Sequence, residues 1–162
     1  VKMANTDSDV YVVAGDGSYL MLNSEIATSV MMGLKITIVL FDSEGFSCIN
    51  RLQRETGGED FNNQFVDTVH ERLPAIDYAA HAQSLGALAE TVCTVPELEA
   101  ALARSKAADR TTLISIKVDP DKATDIGGYW WDVAVPEVST SEKVRTAFET
   151  YRESTRKQNV KG

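Results

Sequence analysis

Short apolar runs alternate with amphipathic segments along most of the chain. Residues 10–14 form a continuous apolar run that ends at Gly15, and residues 36–41 form a longer, β-branched run with polar residues on both sides. Continuous runs of this length are typical of strands that are buried in a parallel sheet. Two further strands are predicted over residues 89–92 and 111–118.

Polar caps mark the helices that lie between these strands. Asn23 is predicted to cap a helix that ends near Gly33. Asp77 is predicted to begin a second helix, which Gly86 ends, and Thr94 a third. Strands that alternate with helices in this way indicate an α/β fold, with an open, mostly parallel sheet and helices on both faces.

The domain organisation follows from changes in composition. We predict an α/β domain over residues 1–120, and a tail over residues 121–162 whose charged helix starts at Ser139 or Ser141 and packs on the same domain. Residues 42–74 are rich in Gly, Asn, Glu and Arg, and are predicted to form a short helix and a long loop. Loops of that length inside a compact domain are usually functional or disordered.

The acidic balance of the chain limits its partners. The 162 residues carry a net charge of −8, and the sequence has no basic stripe of the kind that binds nucleic acid or an anionic membrane. Between residues 10 and 65 the cationic side chains are Lys35, Arg51 and Arg54. A phosphate group bound in that stretch must therefore rely on backbone N–H groups, a helix N-terminus and a metal ion.

The apolar runs and the cysteines bear on the cellular compartment. No run approaches the ~20 residues of a bilayer span, and the first residues lack the pattern of a secretory signal. Cys48 and Cys93 lie far apart in the sequence, and we expect reduced, mostly buried thiols. These features predict a soluble, cytoplasmic protein.

Candidate chemistry lies at the ends of the first two predicted strands. The first strand runs into Gly15-Asp16-Gly17-Ser18 and the second into Asp42-Ser43-Glu44-Gly45. Both ends are expected at the same sheet edge, where ligands bind in α/β folds. Asp16 offers the hard carboxylate that Mg²⁺ takes together with phosphate oxygens and water, and the glycines let the backbone approach a diphosphate. The first turn taken alone also fits a simple strand-to-helix connection.

These two turns and the segment between them resemble the diphosphate motif of thiamine-diphosphate enzymes. In that family an aspartate, a later asparagine side chain and a nearby backbone carbonyl bind the metal. The resemblance assigns these roles to Asp16, to Ser43, which follows it by 27 positions, and to the carbonyl of Gly45. It assigns the binding of thiamine diphosphate to the following residues: Gly15, Asp16, Gly17, Ser18, Ser43, Gly45 and Phe46.

Ser43 departs from the family pattern, which has asparagine at this position. A serine hydroxyl is shorter than an amide and is a poorer metal ligand. Two arrangements therefore stay open: either Ser43 reaches the metal through water, or Asp42 turns inward in its place.

Three segments resemble one subfamily in particular, the trihydroxycyclohexane-dione hydrolases of inositol catabolism. They are residues 15–25, 45–50 and 131–139. The resemblance implies a homo-oligomeric enzyme that uses thiamine diphosphate and Mg²⁺ to open a cyclic diketone by C–C bond cleavage and hydrolysis. A decarboxylase or carboligase similar to acetolactate synthase is the alternative within the family.

The family also implies a partner for this chain. Its members carry an N-terminal pyrimidine-binding domain whose glutamate activates the cofactor, and no such domain is recognised here. We therefore expect an N-terminally truncated chain that opens inside the helix before the first strand. The catalytic residues are unknown from this sequence, and the chain alone is expected to be inactive.

Two other function classes stay open on the residues. Phosphatases of the haloacid-dehalogenase type also place Gly-Asp-Gly after a strand and bind Mg²⁺. They need an Asp-x-Asp pair after an earlier strand, whereas Asp7-Ser8-Asp9 precedes the first strand, and no Asn-Asp pair follows Gly17. The other class is a non-catalytic regulatory or interaction domain of the same fold.

Four further side chains are interpreted without a catalytic role. His70 and His81 have no nucleophile at a recognisable spacing and are expected to be surface or capping residues. Trp130 and Trp131 are expected to hold the C-terminal tail on the domain.

Overall fold

Four strands and six α-helices make up the part of the chain that the computed structural model describes, residues 1–122 and 133–158. The strands are β1 (Tyr11–Gly15), β2 (Thr37–Asp42), β3 (Leu88–Val92) and β4 (Thr112–Lys117). The helices are α1 (Asp16–Met21), α2 (Glu25–Met31), α3 (Ser47–Glu55), α4 (Tyr78–Ser84), α5 (Val95–Ala107) and α6 (Glu142–Gln158), and a short 3₁₀ helix spans Phe65–Asp67. Trp130 and Trp131 lie outside the described residues.

The four strands form one sheet in the order β1-β2-β4-β3, and every pair is parallel. In the register of the first pair, Gly15 lies opposite Phe41. The turns that follow β1 and β2 therefore leave the sheet at the same edge, and this confirms the predicted open parallel sheet.

Helices cover both faces of this sheet. Leu113 of β4 is fully buried against one core that includes residues of α1, α2 and α4. The next residue, Ile114, is fully buried in a second core with Ala101 of α5. Because successive side chains of a strand point to opposite faces, the two cores lie on opposite sides of the sheet, as predicted.

The chain separates into two compact units. The first comprises residues 1–45 and 72–119 and holds the sheet with α1, α2, α4 and α5. The second comprises residues 46–71 and 120–162 and holds α3 and α6 among its described residues. The division into a domain over residues 1–120 and a tail that packs on it stays a prediction.

The predicted helix caps are present in two of three cases. Oδ1 of Asp77 accepts a hydrogen bond of 2.9 Å from the amide of Ala80 at the start of α4. Oγ1 of Thr94 accepts one of 3.3 Å from the amide of Glu97 at the start of α5. The third prediction is wrong, because Ser24 precedes α2 and no side chain caps that helix.

Two other local predictions are also wrong. Asp16 begins the six-residue helix α1 directly after β1, where a turn and then a helix from Asn23 were expected. Six residues are too few for a helical period to appear in the sequence. Residues 1–10 form turns and bends rather than the end of a helix.

Both thiols are free and exposed in the described structure, so the prediction of mostly buried cysteines is wrong. Cys48 is the second residue of α3, and Cys93 lies between β3 and the Thr94 cap. Among the described residues, no helix has the length and apolar character that crossing a bilayer requires.

Candidate functional site

The carboxylate of Asp16 is the most deeply buried charged group of the candidate site. Its side chain is fully buried at the junction of β1 and α1. Oδ1 accepts hydrogen bonds from the amide of Ser43 at 3.3 Å and from its hydroxyl at 3.0 Å. Oδ2 accepts a hydrogen bond of 2.7 Å from the amide of Gly45. The turn after β2 thus holds both oxygens of a carboxylate that follows β1.

The backbone of this turn has an unusual conformation. Glu44 has a φ of 58° and Gly45 a φ of 141°. Left-handed backbone of this kind favours glycine, and a side chain such as that of Glu44 adopts it at a cost of about 1 kcal/mol. The turn therefore keeps a strained residue in order to direct the Gly45 amide toward Asp16.

Three oxygen atoms converge at this point, and we call them the oxygen cluster: Asp16 Oδ1, Ser43 Oγ and Gly45 O. The Ser43 hydroxyl lies 3.0 Å from Asp16 Oδ1 and 3.3 Å from the carbonyl oxygen of Gly45. A hydroxyl carries one proton, so two acceptor oxygens face a single donor. The structure thus brings together the three residues to which the family resemblance assigns the metal.

The oxygen cluster suits a hard cation that brings other ligands with it. Mg²⁺ prefers oxygen ligands and is usually held by one or two carboxylates, with phosphate oxygens and water completing its shell. The cluster contains one carboxylate, and no group of three or more His, Cys, Asp or Glu side chains able to hold a metal is found in residues 1–122 and 133–158. A cation here needs oxygens from a second anionic ligand.

Gly15 leaves open space at the end of β1. Its φ of −80° and ψ of 160° are accessible to any residue, so the backbone does not require glycine. A Cβ built on it would meet no atom within 4 Å. Neither conformation nor packing within the described residues therefore requires glycine at this position, and the space beside Asp16 is open to the approach of another group.

Asp42 uses its carboxylate within its own turn. Its Oδ1 accepts a hydrogen bond of 3.2 Å from the amide of Glu44. Burial, and to a smaller extent the charges of Asp16 and Glu44, raise the pKa of the Asp42 carboxyl above its ordinary value. Lys117 lies 2.6 Å from the Glu44 carboxylate in an exposed ion pair. In this arrangement Ser43, and not Asp42, accompanies Asp16 in the oxygen cluster.

The other predicted cofactor residues have different surroundings. Gly17 is buried and Ser18 exposed, both in the first turn of α1. Phe46 is an exposed residue at the start of the second unit. Their roles toward a cofactor stay predictions.

Sequence reasoning missed an aromatic cluster behind Asp16. The rings of Tyr19 and Tyr78 meet edge to face with centroids 5.5 Å apart, and the hydroxyl of Tyr19 lies 2.8 Å from Nδ1 of His81. His81 is half-buried in the last turn of α4, and His70 is exposed. Asp16 and Tyr19 share one helix face at a spacing of three, the one sequence signal for this cluster.

One family matches most of the chain. Residues 1–116 match the family described as "Thiamine pyrophosphate enzyme, C-terminal TPP binding domain". The matched range contains β1 to β3, β4 except its last residue, and all three residues of the oxygen cluster.

Similar proteins extend the likeness beyond the sheet. A Geobacillus thermodenitrificans protein named 3D-(3,5/4)-trihydroxycyclohexane-1,2-dione hydrolase is 44% identical over 160 residues, which cover 95% of this chain and 25% of that protein. The Bacillus subtilis protein of the same name is 43% identical over 149 residues, covering 92% of this chain and 23% of that protein. The chain therefore spans about a quarter of the length of these relatives.

Solved structures share the fold of the chain. The thiamine diphosphate-dependent 4-hydroxybenzoylformate decarboxylase of Rhodococcus jostii aligns with a TM-score of 0.64 at 20% identity, over 75% of this chain and 22% of that one. At this identity the likeness concerns the fold alone. Together, the family match over residues 1–116 and the sequence relatives show that the chain belongs to the C-terminal thiamine-pyrophosphate-binding domains of thiamine pyrophosphate enzymes.

Proposed function

We propose that this chain holds thiamine diphosphate through Mg²⁺ at the oxygen cluster, within an enzyme that hydrolyses a C–C bond of a cyclic diketone. The observation that carries the metal site is the convergence of two acceptor oxygens, Asp16 Oδ1 and Gly45 O, on the single Ser43 hydroxyl. A cation bound among these atoms would satisfy both acceptors, and the Ser43 hydroxyl would keep its proton and turn it away from the cation. The names of the relatives support the diketone substrate.

The residues of the first unit have distinct roles in this proposal. Asp16 supplies negative charge to the cation, and Ser43 and Gly45 supply neutral oxygens, with Ser43 bound directly or through water. Gly15, Gly17 and Ser18 lie where β1 meets α1 and accommodate the diphosphate against the backbone. Phe46 is assigned to the cofactor by its position next to Gly45 in sequence.

Charge supports the same arrangement. Asp16 is fully buried, and its carboxylate accepts hydrogen bonds from the neutral donors of Ser43 and Gly45. A buried carboxylate is better stabilised when a cation is near. Mg²⁺ therefore offsets both this carboxylate and the diphosphate, in a stretch of sequence that has few cationic side chains.

Thiamine diphosphate, when bound, supplies the carbon nucleophile that attacks a substrate carbonyl. This chain contributes the anchoring of the diphosphate and the metal. The group that activates the cofactor is expected on an N-terminal pyrimidine-binding domain, supplied by a neighbouring subunit of a homo-oligomer. The relatives are about four times as long as the chain, which leaves room for such a domain in a full-length protein.

Titration calorimetry tests the metal-dependent part of the proposal. Thiamine diphosphate is titrated into the full-length protein that carries this chain, once with Mg²⁺ and once with a chelator, and unphosphorylated thiamine serves as control. Binding that requires both Mg²⁺ and the diphosphate is expected. Equal binding with the chelator contradicts the metal-bridged site.

Substrate assays test the reaction. The full-length protein is expected to open trihydroxycyclohexane-dione when it has Mg²⁺ and thiamine diphosphate, and residues 1–162 alone are expected to be inactive. The alternative within the family, a decarboxylase or carboligase similar to acetolactate synthase, predicts consumption of pyruvate instead. The chain is 43–44% identical, over 92–95% of its length, to proteins named as hydrolases, and this similarity favours the first outcome. The same matches give no support to a haloacid-dehalogenase-type phosphatase.

A further inference from the structure

One residue of the aromatic cluster of Tyr19, Tyr78 and His81 has a buried hydroxyl without a hydrogen-bond partner. Tyr78, the first residue of α4, is 3% exposed, and its hydroxyl makes no hydrogen bond to any described residue. Tyr19, whose ring packs against it at 5.5 Å, has a hydroxyl bonded to His81 at 2.8 Å. Buried polar groups in proteins are nearly always paired, so the orphaned hydroxyl of Tyr78 calls for an explanation.

The Asp16 carboxylate has room for one more donor. A carboxylate offers about four acceptor positions on its two oxygens. Oδ1 accepts from the Ser43 amide and hydroxyl, and Oδ2 accepts from the Gly45 amide alone. One acceptor position therefore stays open on Oδ2.

The Tyr78 phenol interacts with this carboxylate without a hydrogen bond of normal geometry. Burial first, then the negative charges of Asp16 and Asp42, and a weaker interaction of the hydroxyl with the Asp16 side chain raise the pKa of the Tyr78 phenol above its ordinary value. Asp16 and Tyr19 are one turn apart on α1, and the ring of Tyr78 contacts that of Tyr19. An orphaned donor and a carboxylate with an open acceptor position thus share the interior of the first unit.

We propose that Tyr78 is a positioning residue for the metal site, whose hydroxyl donates to Oδ2 of Asp16 when a cation occupies the oxygen cluster. This inference rests on the proposed function. A cation at Oδ1 takes the place of the proton that Ser43 donates to that oxygen, so one of the bonds that orient the carboxylate is lost. A bond from Tyr78 to Oδ2 fixes the carboxylate again and keeps Oδ1 directed at the cation. Hydrogen bonds from neighbouring side chains to ligating groups commonly strengthen metal binding by 10- to 100-fold.

The chain offers a matched pair of variants for the test. Tyr78→Phe removes the orphaned hydroxyl, and Tyr19→Phe removes a hydroxyl from the same cluster that already has a partner in His81. Mn²⁺ affinity is measured by electron paramagnetic resonance on the full-length protein with saturating thiamine diphosphate. Tyr78→Phe is expected to weaken Mn²⁺ binding about tenfold, and Tyr19→Phe to leave it within about twofold of the unsubstituted protein.

Thermal unfolding without cation supplies a second readout. If Tyr78 had a purely structural role, its replacement would lower the melting temperature. Tyr78→Phe is expected to keep or raise the melting temperature, because it removes an unpaired buried group, whereas Tyr19→Phe lowers it by breaking a bond. If the unsubstituted protein binds Mn²⁺ and Tyr78→Phe binds it equally well, this inference alone is overturned. If the unsubstituted protein binds no Mn²⁺, the proposed function falls, and the inference with it.

Discussion

The amide of Gly45 donates a hydrogen bond of 2.7 Å to Oδ2 of Asp16, which precedes it by 29 positions in the sequence. This bond joins the end of β1 to the turn after β2, and the two bonds from Ser43 to Oδ1 reinforce it. The carboxylate is therefore fully buried but has hydrogen bonds on both oxygens. Its orientation is set by the backbone before any ligand binds, as preorganised sites require.

Replacement of Asp16 by asparagine tests the assigned metal ligand. Asp16→Asn removes the charge and leaves one oxygen and one amide nitrogen to face donors on both sides. We expect at least tenfold weaker metal-dependent binding of thiamine diphosphate, about 1.4 kcal/mol, and a lower free energy of unfolding, because two N–H donors then oppose each other. Calorimetry and urea unfolding separate the two effects.

Asp42→Asn is the matched control for that variant. Asp42 has the same side chain and lies beside the same turn, but its Oδ1 is bonded to the amide of Glu44. The control is expected to change cofactor affinity much less than Asp16→Asn does. A larger loss for Asp42→Asn than for Asp16→Asn would mean that Asp42 turns toward the metal and that the ligand assignment is wrong.

Two substitutions of Ser43 probe the third oxygen with opposite expected signs. Ser43→Asn places an amide oxygen, which reaches further and is a better ligand than a hydroxyl, and so should strengthen Mg²⁺ binding. Ser43→Ala keeps the hydrogen bond from the backbone amide to Asp16 but removes the hydroxyl. This variant should therefore weaken Mg²⁺ binding. Mg²⁺ titration in the presence of thiamine diphosphate measures both. Equal or poorer affinity of Ser43→Asn would show that the site uses another ligand set.

The second strand could be predicted from the sequence because burial on both faces of a sheet requires a continuous apolar run. The first apolar run also forms a strand, but its predicted burial is wrong, because β1 lies at the edge of the sheet and Tyr11, Val12 and Val13 are exposed. The run that became β2 was expected over residues 36–41 and spans Thr37–Asp42. The proximity of Asp16 and Ser43 followed from the same logic, since carboxyl ends of neighbouring parallel strands share one edge. Helix α1 was missed because its six residues were read as a turn.

The contacts within the aromatic cluster could not be predicted from the sequence, because tertiary packing brings its residues together. Tyr19 and His81 are 62 positions apart and meet only where α1 and α4 pack on the same sheet face. An apolar or aromatic residue in each helix is predictable from periodicity, but the direction of a phenol hydroxyl is not. The exposure of Cys48 and Cys93 was likewise unpredictable, since a cysteine's preference for burial is a tendency that local position overrides.

The cap of α4 gives a stability prediction that is independent of any ligand. Oδ1 of Asp77 accepts the amide of Ala80 at 2.9 Å. Asp77→Ala is expected to lower the free energy of unfolding by about 1 kcal/mol, because a first-turn N–H loses its partner. Asp77→Asn keeps an acceptor of the same shape and should cost much less. Urea unfolding measures the free energy of unfolding of both variants. Equal decreases in the two variants would contradict a capping role for the Asp77 side chain.

The two buried tyrosines make stability fall at alkaline pH. Burial raises the pKa of Tyr19, and burial with the nearby Asp16 and Asp42 charges raises that of Tyr78, above the ordinary value of 10.0. The folded state therefore holds these protons at pH values where the unfolded chain releases them. Their contribution to stability is complete below the ordinary pKa and is lost as pH rises through and above it.

Unfolding free energies between about pH 8 and about pH 11 test this sign. The unsubstituted protein is expected to lose stability steadily over the upper part of that range, and Tyr78→Phe should show a shallower slope. Phenolate absorbance should show two tyrosines that ionise at higher pH than the others in the folded protein. If the variant and the unsubstituted protein have the same slope, Tyr78 does not retain its proton in the folded state.

Gly57 makes a close approach in the second unit. Its φ is +87°, and a Cβ built on it would lie 2.7 Å from backbone atoms of Lys143 and Val144, in the first turn of α6. Gly33 also has a positive φ, +62°, but a Cβ there meets no atom within 4 Å. The two glycines thus share the conformational demand and differ in the contact.

Alanine at each position separates the two effects. Gly33→Ala should cost about 1 kcal/mol for the left-handed backbone alone. Gly57→Ala adds an overlap with backbone atoms that cannot rotate away, and should cost about 2–4 kcal/mol. The difference should be local, because the overlap falls on α6. Hydrogen exchange of the α6 amides is therefore expected to accelerate in Gly57→Ala and to stay unchanged in Gly33→Ala. Equal exchange of those amides in the two variants would mean that Gly57 is needed for its φ and not for the packing of α6 against it.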